Sequence, residues 1–297
     1  MLGCVHGHRF DVARQGHVVL VPGGSKLRAD TADMVAARVR VLASGAFDGV
    51  RDALVRAVVA STGTGGTVDV GAGRTVGVTD GGTGGTVAGT AAGPADVGVV
   101  GAGEDGLVVD VGAGPGWYAA AVLEQLPRHL GLALELSGPA LRVAARAHPR
   151  LAALGADVTR PLPLADGAVG RGGALTAVFA PLPPPDELAR VARPGAGLVV
   201  VMPTPDHLAA LRLRLGLLDV PAGKPSRLAA RHGAAWQVVA QEDVVREVVL
   251  RRDEAADVVA MGPNAWHTDD RLRDALLDLP DELADTVAVT VTTLTRT

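Results

Sequence analysis

The chain is predicted to be an α/β protein, with a doubly wound, mostly parallel sheet built by residues 107–297. Three observations carry this. Apolar runs of strand length alternate with stretches of helical spacing, a glycine-rich turn ends the first run, and a Val-rich alternating segment near the C-terminus suits a half-exposed antiparallel strand.

The elements follow in order. Leu107 to Val111 reads as a strand and Trp117 to Leu126 as the helix after it; Leu130 to Leu136 and Pro139 to Ala147 repeat the unit. A third strand is placed before Asp157. Gly173 to Ala180 (strand), Pro185 to Ala192 (helix), Gly197 to Met202 (strand) and the helical segment Asp206 to Leu218 continue the period, and Val287, Val289 and Val291 close it. Upstream, Ala32 to Leu42 and Arg51 to Val59 have helical spacing, with Asp30 and Thr31 placed to cap the first. Residues 61–106 are dominated by Gly, Thr, Val and Ala, which cannot bury enough apolar surface to order firmly. The expected division is therefore a small module at 1–60, a linker at 61–106 and the main domain at 107–297.

Composition removes several classes of function. Hydrophobic residues make up 48% of the chain, yet no uninterrupted apolar run nears the roughly 18 residues of a membrane-spanning helix. His6, His8 and Arg9 stand where a secretory signal would be apolar, and the single cysteine, Cys4, permits no intrachain disulfide, so a cytoplasmic location is expected. The net charge of −4 argues against a chain that is basic throughout. Residues 1–60 nevertheless hold eight Lys or Arg against five Asp, which makes this end the better candidate for nucleic acid, or else an ordinary solvated face.

The sharpest motif is Asp110-Val111-Gly112-Ala113-Gly114-Pro115-Gly116 between the first strand and its helix. Glycines let the backbone turn tightly beside a ligand, at a helix N-terminus whose free N–H groups donate to it. A dinucleotide fingerprint would place Gly or Ala at position 117, which is Trp117 here. The Asp-x-Gly-x-Gly-x-Gly pattern instead resembles the first motif of class I (Rossmann-like) methyltransferases, which implies S-adenosylmethionine as cofactor. Glu135, at the end of the second strand, is the candidate for the ribose hydroxyls. Asp157 resembles the acid that accepts from the adenine amino group. Trp117 and Tyr118 are candidate pocket walls, and either acid would otherwise be an ordinary strand-end carboxylate. The six letters of Val109 to Gly114 recur at Val68 to Gly73, but no helix can start at the following Arg74-Thr75-Val76-Gly77, so that copy is rejected.

Longer stretches resemble one family, the 23S rRNA (guanine-N1)-methyltransferases, which include the tylosin-resistance enzyme. They are Cys4 to His17, Asp30 to Arg38, Gly114 to Tyr118, Val178-Phe179-Ala180-Pro181, Arg190 to Gly195, Pro203 to Leu208 and Met261-Gly262-Pro263. The resemblance implies methyl transfer to N1 of a guanine in the hairpin 35 loop of 23S rRNA, with position 748 favoured over 745. It also implies a contribution to macrolide resistance, a homodimer and a zinc-ribbon-like N-terminal module. Cys4 and His8 match two of that module's zinc ligands; the family's Cys-x-x-Cys pair would fall before Met1, so the module is expected to be truncated. For removal of the N1 proton no base is assigned; His207, Asp206 and His267 are candidates only, and the leading reading of each is a surface or capping residue. The competing readings are a class I methyltransferase for a small molecule, with residues 1–60 as a lid, and a catalytically inactive RNA-binding homologue.

Overall fold

The computed structural model describes residues 2–3, 9–21, 28–63, 106–267 and 270–297. Cys4, His8, nearly all of the linker and the repeated six-residue motif lie outside the described residues. Strands β1 (Leu2–Gly3) and β2 (Arg9–Phe10) form a small antiparallel ribbon, and β3 (Val18–Val19) joins the edge of the main sheet. Helices α1 (Ala32–Ala43) and α2 (Asp48–Thr62) follow. Thr31 caps α1, its Oγ1 accepting from the Met34 N–H at 3.3 Å. Helix α2 runs two residues into the segment read as linker and stops at Gly63, whose φ of +67° is a left-handed cap.

The main domain adds β4 (Leu107–Val111), α3 (Trp117–Gln125), β5 (Leu130–Glu135), α4 (Gly138–Ala144), β6 (Leu151–Gly155), β7 (Ala174–Val178), α5 (Pro185–Val191) and β8 (Gly197–Pro203). It then adds α6 (Ala209–Leu215), α7 (Lys224–His232), β9 (Trp236–Arg251), α8 (Arg252–Ala260), α9 (Asp270–Leu277) and β10 (Glu282–Arg296). The sheet order is β3-β6-β5-β4-β7-β8-β10-β9, with β4 to β8 parallel and β10 antiparallel to both its neighbours. Counted from β4 this is 3-2-1-4-5-7-6, whereas a dinucleotide fold runs 3-2-1-4-5-6. The alternating valines are the middle of β10, antiparallel as expected, but the strand is not half exposed: Ala288, Thr290 and Thr292 on its other face are buried as fully as Val287, Val289 and Val291.

Strand β9 was not anticipated. Gln237, Glu242, Asp243, Arg246 and Glu247 interrupt any apolar alternation along it, and most of its residues are exposed. Pairing with β10 over nearly its whole length holds it in place.

Both faces of the parallel strands are covered, so neighbouring residues enter different cores. Val108, Val199 and Val201 pack with Val50, Leu54 and Val58 of α2, while Val109, Leu198 and Val200 pack with Leu188 and Val191 of α5. The helices of residues 1–60 thus share one apolar core with the sheet of residues 107–297. Leu54 is 1% exposed, and burying each such side chain contributes about 1.5–3 kcal/mol.

Candidate active site

Strands β4 and β7 are neighbours whose following connections lead to opposite halves of the sheet. A crevice must open there, outside the carboxyl ends of the strands. It is a cavity of about 650 Å³, within the usual size of a small-molecule site.

One half is built by the glycine turn. Gly112, Gly114 and Gly116 all have positive φ, at +71°, +53° and +77°, a region closed to most side chains. A Cβ on Gly112 would also lie 2.6 Å from that of Ala180. The turn is tied to β5, because the N–H groups of Gly112 and Ala113 both donate to the Leu134 carbonyl, at 2.8 and 3.1 Å.

Glu135 closes the turn from the other side. Its Oε2 accepts from the Gly114 N–H at 2.8 Å, and its Oε1 from the N–H groups of Leu136 and Ser137 at 2.7 and 2.8 Å. Three amides lock the carboxylate against the cavity and leave lone-pair capacity for a ligand hydroxyl. Asp110 is buried, and its Oδ1 accepts from the Thr176 hydroxyl at 2.8 Å. Burial pushes its carboxyl up to about 7, the Thr176 hydroxyl opposes this, and the Glu135 charge adds to it. Asp157 accepts from the hydroxyl and N–H of Thr159, at 2.6 and 3.0 Å, and pairs with Arg160 at 3.2 Å. The Thr159 hydroxyl is the main reason its carboxyl lies below the ordinary value.

Asp110, Gly112, Gly114, Tyr118, Glu135, Asp157 and His207 all line this cavity. The Tyr118 hydroxyl is buried there with no hydrogen-bond partner among the described residues. Gly116 and Trp117 do not line it. The Trp117 ring lies edge to face with Tyr118 at 4.9 Å and under the Arg51 guanidinium at 5.3 Å, so it packs α3 against α2. Asp206 is exposed and outside the cavity lining. His267 ends a short 3₁₀ turn, Pro263–His267, and its side chain lies outside the described residues.

Of the other half of the cavity only His207 was singled out in the sequence, as a candidate for removal of the N1 proton. Phe47, just before α2, Phe179, just after β7, and His207, after β8, meet there. The Phe179 ring is edge on to Phe47 (6.1 Å, 88°) and tilted over His207 (5.4 Å, 37°). Phe179 (φ +54°) and Leu208 (φ +50°) are the non-glycine residues with positive φ among the described residues, each costing about 1–2 kcal/mol. Both are held by backbone donation, Phe179 to the Val201 carbonyl at 3.1 Å and Leu208 to that of Thr286 at 2.7 Å. The backbone strain of the fold therefore falls around the Phe179 and His207 rings, as it does at ligand sites.

Residues from distant parts of the chain close the rim. Arg38 pairs with Asp30 at 2.5 Å and donates to the Met261 carbonyl at 2.6 Å, and Arg28 lies over the Trp266 ring at 5.6 Å. A signal for this half did exist in the composition. Of only three Phe, one Tyr and three Trp, Phe47, Phe179, Tyr118 and Trp266 line the cavity. Four of the eight Lys and Arg of residues 1–60 are paired within the protein, Arg38 with Asp30, Arg40 with Asp257, Arg51 with Asp48 and Asp52, and Arg56 with Glu242. Among the described residues no group of three or more His, Cys, Asp or Glu is placed to hold a metal, and no helix is long and apolar enough to cross a membrane.

The cavity suits S-adenosylmethionine: a turn without side chains, a clamped carboxylate for vicinal hydroxyls, an unpaired tyrosine hydroxyl, and two adjacent acids facing a cationic ligand. With the sheet order, these features define a class I S-adenosylmethionine-dependent methyltransferase. The chain belongs to the 23S rRNA (guanine-N1)-methyltransferase family. It is 42% identical over 292 residues to the 23S rRNA (guanine(748)-N(1))-methyltransferase of Streptomyces fradiae, covering 98% of this chain and 89% of the relative. A relative from Micromonospora griseorubida, named for the same guanine-N1 transfer to 23S rRNA, is 40% identical over 289 residues, covering 97% and 88%. Among solved structures, a SAM-dependent methyltransferase from Geobacter sulfurreducens in complex with S-adenosyl-L-homocysteine matches at 16% identity and a TM-score of 0.40, over 65% of this chain and 85% of that one. No protein-family profile matches the chain.

Proposed function

We propose that this enzyme transfers the methyl group of S-adenosylmethionine to N1 of a guanine in the hairpin 35 loop of 23S rRNA, at position 748 in preference to 745. The observation that carries the reading is the two-ended cavity, with the glycine turn and acids at one end and an aromatic pair at the other. When bound, the cofactor supplies an electrophilic methyl group for in-line displacement.

The chain's own residues do the rest. Glu135 holds the ribose hydroxyls, Asp157 accepts from the adenine amino group, and Asp110 and Tyr118 face the methionine end. Positioning of this kind supplies roughly 7–11 kcal/mol in well-oriented reactions. A loop guanine can be splayed from its stack and held on an aromatic face, which exposes the edge bearing N1.

Incubation of the protein with labelled cofactor and unmodified 23S rRNA tests the proposal. Incorporation that stops reverse transcription in hairpin 35 is expected. None at all would favour a small-molecule acceptor, and tight rRNA binding without transfer an inactive homologue. The resemblance alone supports a homodimer, a zinc ion held partly by Cys4 and His8, and a contribution to tylosin-type resistance. Sedimentation, metal analysis and the drug susceptibility of an expressing strain test these in turn.

A further inference from the structure

His207 has a defined hydrogen-bonding state. The Ala288 N–H donates to its Nδ1 at 3.3 Å, so that nitrogen carries the lone pair and, in the neutral ring, Nε2 carries the hydrogen. Among the described residues Nε2 has no partner, and the ring lines the cavity. Burial, reinforced by the Arg212 charge, pushes the imidazole down to about 4, with Lys224 adding to this and Asp285 opposing it. At neutral pH the ring is uncharged, with its one lone pair already in use. It can donate a hydrogen bond into the cavity, but it cannot take a proton there.

Phe179 supplies the second part. Phe179 is 40% exposed, whereas Phe47 and Tyr118 in the same cavity are 2% and 8% exposed, and its strained backbone sets it against His207. A flat aromatic face beside an N–H donor is the recognition surface for a planar heterocycle bearing a carbonyl.

Resting on the guanine reading above, we propose that Phe179 and His207 form the target-base subsite, with guanine on the Phe179 ring and its O6 accepting from His207 Nε2–H. Loss of the N1 proton to solvent water puts negative charge on O6, so this hydrogen bond strengthens as the nucleophile forms. It also selects the base. Adenine carries an amino donor at C6, and two donors would face each other without an acceptor. His207 is thereby a donor to the substrate and not the base, a role for which the sequence made it one of three candidates.

The test uses the full chain, S-adenosylmethionine and unmodified 23S rRNA, comparing wild type with His207→Gln and His207→Ala. The Gln amide can donate from near the Nε2 position but cannot act as a base. His207→Gln is expected to keep kcat/KM for transfer within about fivefold of wild type and His207→Ala to lose about 10- to 100-fold, with calorimetric cofactor affinity unchanged in both. A second measurement replaces the target guanosine by its 6-thio analogue, a weaker acceptor, which should narrow the gap between wild type and His207→Ala. His207→Gln as impaired as His207→Ala, or a gap that the thio substitution leaves intact, overturns the subsite while leaving the rRNA reading standing. A wild-type protein that transfers no methyl group to the RNA overturns both.

Discussion

Asp110 is where building the cofactor site should cost folding stability, and Asp110→Asn measures that cost. The carboxyl has an ordinary value of 3.8 and is pushed up to about 7 in the folded chain, mainly by burial. Between those values the folded state binds more protons than the unfolded state, so stability falls as pH rises through the window and is level above it. The interval corresponds to about 4 kcal/mol lost between pH 4 and pH 7. Asparagine is uncharged at every pH and keeps an oxygen for the Thr176 hydroxyl, which donates to Asp110 at 2.8 Å. Without cofactor, the variant should melt close to wild type near pH 4 and above it at pH 8, by up to about 8–16 °C for a domain of this size. Saturating S-adenosylmethionine should shrink the difference at pH 8, because its cationic sulfonium and ammonium groups favour the ionised carboxylate. Thermal melts from pH 4.5 to 8 decide the matter. A gap that does not change with pH, or a variant less stable than wild type at pH 8, would refute the reasoning.

Three further outcomes are expected. Glu135→Gln removes the charge clamped by the Gly114, Leu136 and Ser137 amides and should weaken cofactor binding about 10- to 100-fold by calorimetry, the scale of a lost charged hydrogen bond. Gly112→Ala must place a Cβ 2.6 Å from that of Ala180 at a φ of +71°; it should lower the melting temperature by at least the equivalent of about 1–2 kcal/mol and abolish measurable cofactor binding. Phe179→Ala should raise KM for 23S rRNA by about tenfold or more, the scale of one base stacked on an aromatic ring, and leave cofactor affinity unchanged in calorimetry.

The glycine turn was legible because its demands are local. Positive φ at Gly112, Gly114 and Gly116 is a property of single residues, and a strand before them and a helix after them need only short-range periodicity. Glu135 followed from the same repeat, since it ends the next strand and meets Gly114 directly. The alternation in β10 was visible for the same reason. Its partner β9 was not, because its conformation comes from pairing along one edge and leaves no apolar period behind.

Which side chain faces the cavity could not be read from neighbours along a helix. Trp117 and Tyr118 are consecutive and therefore about 100° apart around α3; packing against α2 takes the first and leaves the second in the cavity. Asp206 and His207 divide in the same way, one into solvent and one beneath Phe179. By itself the sequence determined the parallel sheet, the glycine turn and the acid opposite it, since each is specified by residues within a few positions of one another. Only the tertiary structure decided that α2 belongs to the sheet's core and that Phe47, Phe179 and His207 share one pocket, because contacts between such distant positions depend on the order of strands and the layer each helix covers.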